Sequence, residues 1–183
     1  MKLSKSKIII FAIVIVALSL IFLALPGQFA HYGIKEIGPR NTYQYNLSGY
    51  QWMFGTVAKS YDSSSKIGSA VPAGIAALVL LGLSFIGLLF SKKSSFVSLL
   101  VSLALITVAI LFFCSPAAGR KAYPSFLPAE DGDYTLMSWV PFVNASLTLI
   151  AGGLMMYRTV LVMKEETKRP NQPKGPSYSY LHK

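Results

Sequence analysis

The chain has 183 residues, of which 53% are hydrophobic and 13% are charged, and its mean hydropathy is +0.51. Soluble domains carry about 25% charged residues, so roughly half of the usual charge is missing. The 17 Lys and Arg outnumber the 7 Asp and Glu, which gives a net charge of +10. A nucleic-acid-binding domain carries such charge on a polar surface around an ordinary core, whereas here the charges lie between long apolar blocks. The composition excludes an ordinary soluble enzyme, a disulfide scaffold and a disordered chain, and it indicates an integral membrane protein without a nucleic-acid partner.

Four apolar blocks are each long enough to cross a bilayer as an α-helix. At 1.5 Å per residue, a run of about 18–20 residues spans about 27–30 Å, close to the roughly 30 Å of a hydrocarbon core. Because lipid offers the backbone no hydrogen-bond partner, such runs form helices. The sequence therefore predicts an all-α, four-helix transmembrane bundle. Its helices are predicted at residues 8–25, 71–90, 96–114 and 139–163.

The first block also admits a second interpretation. Lys2, Lys5 and Lys7 before an apolar run are typical of a signal peptide. Cleavage after Ala30 would place Gln28 at the −3 position, where a small residue is needed. The block also exceeds the usual apolar region of about 7–15 residues. We therefore expect a retained helix, whereas cleavage would leave three helices and an external N-terminus.

The basic residues predict the orientation of the helices, because cytoplasmic flanks of membrane helices are rich in Lys and Arg. With the N-terminus inside, 11 of the 17 basic residues are cytoplasmic: Lys2, Lys5, Lys7, Lys92, Lys93, Arg158, Lys164, Lys168, Arg169, Lys174 and Lys183. We expect a multi-pass plasma-membrane protein with both termini in the cytoplasm, and the cysteine-free outer loops favour a bacterial host. The long side chain of Arg158 is expected to extend to the inner surface.

The predicted membrane domain covers residues 1–163, with outer loops at 26–70 and 115–138. Residues 164–183 contain three prolines among polar residues and cannot bury enough apolar surface to offset the entropy of ordering. We expect them to form a disordered cytoplasmic tail.

The first outer loop contains an alternating aromatic pattern. Residues 43–47 and 50–54 both alternate large apolar with mostly polar side chains, and Ser48-Gly49 between them suits a two-residue turn. The pattern predicts a small extracytoplasmic β-hairpin whose cross-strand pairs each contribute about 0.2–1 kcal/mol. Its aromatic face would consist of Tyr43, Tyr45, Leu47, Tyr50, Trp52 and Phe54. This face would cover other parts of the chain, lie at headgroup depth or contact a partner.

Few side chains are suited to catalysis or metal binding. His31 and His182 are the only histidines and Cys114 is the only cysteine, whereas zinc needs several such ligands. The acidic cluster at 130–133 lacks the pattern of a calcium loop. No phosphate-binding loop, dinucleotide fingerprint, HExxH or GxSxG motif is present. We predict a non-enzymatic protein without metal or cofactor, with a catalytic group built from His31 and either Asp62 or Glu36 as the one open alternative.

Ser98, Ser102 and Asn144 are candidate polar residues within the membrane. Because polar groups are costly in lipid, they could line the neutral pathway of a small transporter or channel subunit. Alternatively, they belong to stripes of small residues where helices pack closely and hydrogen bonds across the interface contribute about 0.6–2 kcal/mol each. We favour packing. The stripes contain Ala70, Ala73, Ala77, Ser84 and Gly87 on the second helix, Ser95, Ser98, Ser102 and Ala109 on the third, and Ala145, Thr148 and Gly152 on the fourth.

The layout resembles the claudin-like tetraspan proteins. Both termini are expected inside, a long first outer loop contains Gly49-Tyr50-Gln51-Trp52, and a shorter second outer loop follows. In that family a Gly-Leu-Trp motif precedes a disulfide-bonded cysteine pair, which this chain lacks. The resemblance implies lateral assembly or cell-surface contact rather than catalysis. The predicted partners are the lipid bilayer together with further copies of the chain, as a homo-oligomer, or another membrane protein.

Overall fold

The computed structural model describes residues 4–25, 30–35, 42–59, 64–67, 70–92, 94–115, 117–118, 134–136 and 139–168. Its helices are α1 (Lys5–Ala24), α2 (Gly49–Phe54), α3 (Pro72–Phe90), α4 (Ser95–Phe113) and α5 (Trp139–Lys168). Its strands are β1 (Ala30–Lys35), β2 (Thr42–Leu47), β3 (Thr56–Lys59), β4 (Ser64–Ile67) and β5 (Tyr134–Leu136).

Four of these helices (α1, α3, α4 and α5) are long and apolar enough to cross a membrane, which confirms the predicted segments to within a few residues at most ends. α1 begins three residues early because the Ser4 hydroxyl accepts a hydrogen bond from the Lys7 N–H and caps the helix. α3 begins at Pro72, whose missing N–H would have no partner in the first turn of a helix anyway.

The four long helices pack as a closed bundle. α1 contacts α3 and α5, and α4 also contacts α3 and α5, with the most extensive contact between α4 and α5. α3 and α4 are joined by residues 91–94, so they are antiparallel neighbours. One end of the bundle, which we call the basic end, carries the described residues Lys5, Lys7, Lys92, Arg158 and Lys164. α2 lies at the opposite end.

The bundle has an apolar outer surface, and its apolar core also contains several small polar side chains. Ile10 and Leu83 are each 60% exposed, and Phe96 is 64% exposed. Several polar side chains, by contrast, are at most 1% exposed: Ser19, Ser84, Ser98, Ser102, Asn144, Thr148 and Thr159. A protein in water would not expose so continuous an apolar surface, so this distribution is typical of helices surrounded by lipid. The chain is a multi-pass membrane protein.

The predicted hairpin is wrong, because residues 50–54 lie in a helix rather than in a second strand. The Ser48 hydroxyl accepts a hydrogen bond from the Gln51 N–H at 3.3 Å, and the Ser48 N–H donates to Gln51 Oε1 at 2.9 Å. This reciprocal capping box starts α2, and Gly55, with a φ of 77°, follows its last residue. Because a five-residue run is too short for its periodicity to distinguish strand from helix, the cap decides the conformation.

The first predicted strand does form, but it pairs with an earlier segment. β1 is the central strand of a three-stranded antiparallel sheet, with β2 on one side and β5 on the other. Ala30 pairs with Leu47 of β2 and with Leu136 of β5. Since β5 comes from the loop between α4 and α5, this sheet joins the two loops. β3 and β4 form a separate antiparallel pair.

The prediction that the chain is disordered from residue 164 is wrong for residues 164–168, which form the end of α5. Lys and Glu are strong helix formers, and Glu165 also forms an ion pair with Lys5 of α1. Pro170 follows closely in the sequence, and a proline disfavours the helical conformation of the residue before it. Residues 169–183 and the acidic cluster at 130–133 lie outside the described residues.

Candidate functional site

α2 packs its buried side chains against the start of α3. Trp52 and Met53 are fully buried, and a Cβ added to Gly74 would lie 2.7 Å from Trp52 Cζ3 and 2.8 Å from Met53 Cγ. The N–H of Val71 also donates a 2.8 Å hydrogen bond to the Met53 carbonyl. Only a glycine at position 74 allows this approach, so the α2–α3 contact depends on the identity of that residue.

The first residue of α2 contacts the end of α1 equally closely. A Cβ on Gly49 would lie 2.8 Å from Leu23 Cδ2 and 2.9 Å from the Leu23 carbonyl oxygen. Leu23 is itself fully buried. α2 is therefore held by backbone-level contacts to both α1 and α3, and it fixes the adjacent strand β2 on the bundle.

The six residues of the predicted aromatic face do not share one exposed surface. Leu47 is 2% exposed and Trp52 is fully buried, whereas Tyr50 is half-buried and Phe54 is 50% exposed. Tyr43 and Tyr45 lie in β2, opposite Ile34 and Tyr32 of β1, and only their backbone is described. Among the described side chains of this set, Phe54 and part of Tyr50 remain accessible for contact.

The catalytic alternative at His31 stays a prediction. His31 is the second residue of β1, where its backbone pairs with Asn46 and Thr135. The acids proposed beside it, Glu36 and Asp62, lie outside the described residues. Within the part of the chain that the structure describes, no three His, Cys, Asp or Glu side chains come together as metal ligands. Cys114 is exposed at the end of α4.

Asn144 bonds to α1 within the bundle. The Ser19 hydroxyl donates a 2.9 Å hydrogen bond to Asn144 Oδ1, and both residues are fully buried. One turn along α5, the Thr148 hydroxyl donates to the Asn144 carbonyl at 2.9 Å. Ser19 was not among the predicted site residues, although it is the only polar side chain of its block.

Ser98 and Ser102 bond to α5. The Ser102 hydroxyl donates to the Gly152 carbonyl at 2.9 Å, and the hydroxyls of Ser98 and Thr159 are hydrogen-bonded at 2.9 Å. A Cβ on Gly152 would lie 2.9 Å from Ile106 Cγ1, so the two helices are close at this level. These bonds join α4 to α5, so both hydroxyls already take part in contacts between helices.

Some buried polar atoms have no hydrogen-bond partner among the described residues. They are Ser84 Oγ, Ser115 Oγ, Asn144 Nδ2, and both Nε and Nη1 of Arg158. An unpaired buried polar group costs about 1–3 kcal/mol, and more when it is charged. The two atoms of Arg158 are therefore the most costly of the set.

The predicted extension of Arg158 to the surface is wrong. Arg158 is only 4% exposed, because it lies on the inward face of α5 beside Thr159, which bonds to Ser98 of α4. Sequence position placed Arg158 near the end of a membrane segment, but which face of α5 turns inward depends on the packing of the whole bundle.

A scan against protein-family models finds no match, and a search of curated proteins finds no significant one. The function must therefore be argued from the residues and their geometry.

Two functional features were missed in the sequence, and only one of them had a local signal. The Ser48-x-x-Gln51 pattern is a capping box and could have identified α2. The pairing of Asn144 with Ser19 and that of Ser98 with Thr159 had none, because the partners lie 125 and 61 residues apart in the chain.

Proposed function

We propose that the protein is a non-enzymatic tetraspan membrane protein that works by assembly, presenting its loop structure to a protein partner, a lipid or its own copies. The single observation that supports this most is the burial of Trp52 against Gly74. A loop that served only to connect two helices would not need a fully buried tryptophan. Anchoring by α2 instead holds β2, and through it the sheet with β1 and β5, at a fixed position on the bundle.

We place the contact surface on the accessible residues next to this anchor. Phe54 is half exposed and Tyr50 is partly exposed, while Tyr43 and Tyr45 lie on the neighbouring strand β2. Aromatic residues are enriched where proteins bind one another. Trp52 and Leu47 support this surface from beneath rather than belonging to it.

The orientation is part of the proposal. The basic end carries Lys5, Lys7, Lys92, Arg158 and Lys164, which favours the cytoplasm for that end and the outer side for α2 and the sheets. This assignment places both termini in the cytoplasm, and the short basic start and the cysteine-free outer loops support a bacterial plasma membrane. The topology-level resemblance to claudin-like tetraspans is consistent with it and would imply lateral assembly.

The test is the mass of the intact complex purified in nanodiscs, together with identification of everything that co-purifies. We expect a homo-oligomer or a stoichiometric partner for the wild type, and loss of that assembly when Tyr43, Tyr45 and Phe54 are all replaced by serine. Ser146→Ala, at an exposed position of α5, is the control and should assemble normally. Unchanged assembly of the folded triple variant would refute the proposal.

A small transporter or channel subunit is the second candidate. The observation in its favour is the pair of unpartnered atoms within the bundle, Asn144 Nδ2 and Ser84 Oγ. Against it, Ser98 and Ser102 already bond to α5. Flux of a solute in proteoliposomes that is abolished by Asn144→Leu would support a pathway, whereas flux unaffected by this change would exclude Asn144 from one.

A further inference from the structure

Arg158 is a buried cation for which the described part of the chain offers no hydrogen-bonding group at Nε or Nη1. It is 4% exposed, and both atoms are inaccessible to solvent. A guanidinium is always charged and presents donors in a planar fork that suits two oxygens of one carboxylate or phosphate. Burial of such a group without an anion is unfavourable, so its environment calls for one.

The position of Arg158 on α5 follows from two contacts with α1. Asn144 bonds to Ser19, and Glu165 pairs with Lys5, so both lie on the face of α5 that contacts α1. Arg158 is seven residues from Glu165 and fourteen from Asn144. Because seven residues make about two helical turns, Arg158 lies on that same face.

The acid on this face is already engaged by another cation. Glu165 binds Lys5, and it lies about two turns beyond Arg158 along α5. By counting back from the Asn144–Ser19 bond, Lys5 lies at about the level of Arg158. Among the described side chains around this position, the two cations Arg158 and Lys5 therefore outnumber the one carboxylate, Glu165.

The start of α4 adds positive potential at a similar level. The hydroxyl bond between Thr159 and Ser98 places the residue next to Arg158 beside the first turn of α4, which begins at Ser95. The free N–H groups at a helix N-terminus carry a partial positive charge and favour anions. A buried arginine is repelled by these N–H groups unless an anion lies between the guanidinium and the helix N-terminus.

We propose that Arg158 binds the phosphate group of an anionic phospholipid at the basic end of the bundle. Phosphate accepts two parallel hydrogen bonds from a guanidinium, and because Nε and Nη1 are inaccessible in this structure, binding requires the Arg158 side chain to move toward the headgroup. A headgroup is favoured over other anions because Arg158 lies within a membrane-spanning helix about one turn inside the start of α4, and basic pockets between membrane helices bind such headgroups. Lys5 contributes charge, while the remaining lysines of the basic end are more exposed.

The experiment uses the full chain in nanodiscs of phosphatidylcholine, with and without phosphatidylglycerol, and in detergent with inorganic phosphate. Native mass spectrometry counts retained lipid, and thermal unfolding measures stabilisation. We expect the wild type to retain phosphatidylglycerol selectively and to unfold at a higher temperature with it. Arg158→Gln should bind it at least about tenfold more weakly, a difference of about 1.4 kcal/mol. Arg158→Lys should retain part of the effect, because lysine keeps the charge but not the fork.

Lys164→Gln is the matched control, since it removes one charge from an exposed residue at the same end. It should bind phosphatidylglycerol as the wild type does. Equal weakening of Arg158→Gln and Lys164→Gln would overturn the proposal in favour of diffuse attraction. Stabilisation by inorganic phosphate alone, as strong as that by phosphatidylglycerol, would retain a phosphate site but overturn the lipid as its occupant. If Arg158→Gln does not fold, the wild type alone decides. A wild type that does not retain phosphatidylglycerol and is stabilised by neither phosphatidylglycerol nor inorganic phosphate refutes the site.

Discussion

The Ser19 hydroxyl donates a 2.9 Å hydrogen bond to Asn144 Oδ1, joining the first and last membrane helices across a fully buried contact. The Lys5–Glu165 pair joins the same two helices at the partly exposed basic end. Within the membrane, α1 and α5 thus share a specific polar contact in addition to the packing of their apolar side chains.

A double-mutant cycle should measure that contact. With Ser19→Ala, Asn144→Ala and the double variant, we expect a coupling energy of about 0.6–1.7 kcal/mol, the range found for hydrogen bonds between membrane helices. The measurement is reversible unfolding in mixed detergent micelles. The exposed residue Ser146, paired with Asn144 in a second cycle, should give a coupling near zero. Equal couplings in the two cycles would mean that the Ser19 bond contributes nothing specific.

Adjacent glycines on α5 should respond differently to alanine. A Cβ on Gly152 would lie 2.9 Å from Ile106 Cγ1 and 3.2 Å from the Ser102 carbonyl oxygen, whereas a Cβ on Gly153 meets nothing within 4 Å. We expect Gly152→Ala to destabilise the bundle by about 1–3 kcal/mol through overpacking. Gly153→Ala should be neutral or slightly stabilising, because alanine is the better helix former. Reversible unfolding compares them directly, and similar values for both would contradict the close α4–α5 contact.

Trp52 should matter for stability, and Phe54 for assembly. Trp52→Ala removes a fully buried side chain, so we expect a loss of about 3–5 kcal/mol and faster hydrogen exchange in α2. Phe54 is 50% exposed, and Phe54→Ala should change stability by no more than about 0.5 kcal/mol. Unfolding and amide exchange test both variants. A Trp52→Ala protein as stable as Phe54→Ala would remove the anchoring role of α2.

The only cysteine of the chain reports the orientation of the bundle. Cys114 is exposed at the end of α4 farthest from the basic end. We expect a membrane-impermeant maleimide to label it in intact cells. In a Cys114→Ser background, Lys164→Cys should be labelled only after the membrane is permeabilised. The reverse pattern would invert the proposed orientation while leaving the four helices intact.

The four membrane helices could be predicted because a run of apolar residues leaves no alternative in lipid, whatever the rest of the chain does. The stripes of small residues were also predicted, and Ser84, Ser98 and Ser102 are indeed buried. Individual bonds could not be predicted. Nothing local to Ser102 selects the Gly152 carbonyl as its acceptor, because that choice depends on the relative rotation of two packed helices.

Two errors in the sequence interpretation have a common cause. At residues 50–54 the alternation of side chains was given more weight than the capping box at Ser48 and Gln51. At residues 164–168 polarity was given more weight than helix propensity. In both cases the pattern of apolar and polar side chains, which predicts burial, was used to predict conformation. The conformation of these residues is instead decided by local hydrogen bonds to the backbone and by intrinsic helix propensity.

α5 has 30 residues and is about 45 Å long, whereas α1 has 20 and is about 30 Å long. About 15 Å of α5 therefore exceeds what a hydrocarbon core of about 30 Å requires. This excess lies at the basic end, where α5 continues past Arg158 to Lys168 and carries the Glu165 side chain that pairs with Lys5 of α1. The ion pair therefore joins α1 to the extension of α5, and the Ser19–Asn144 bond joins the same two helices near their other ends.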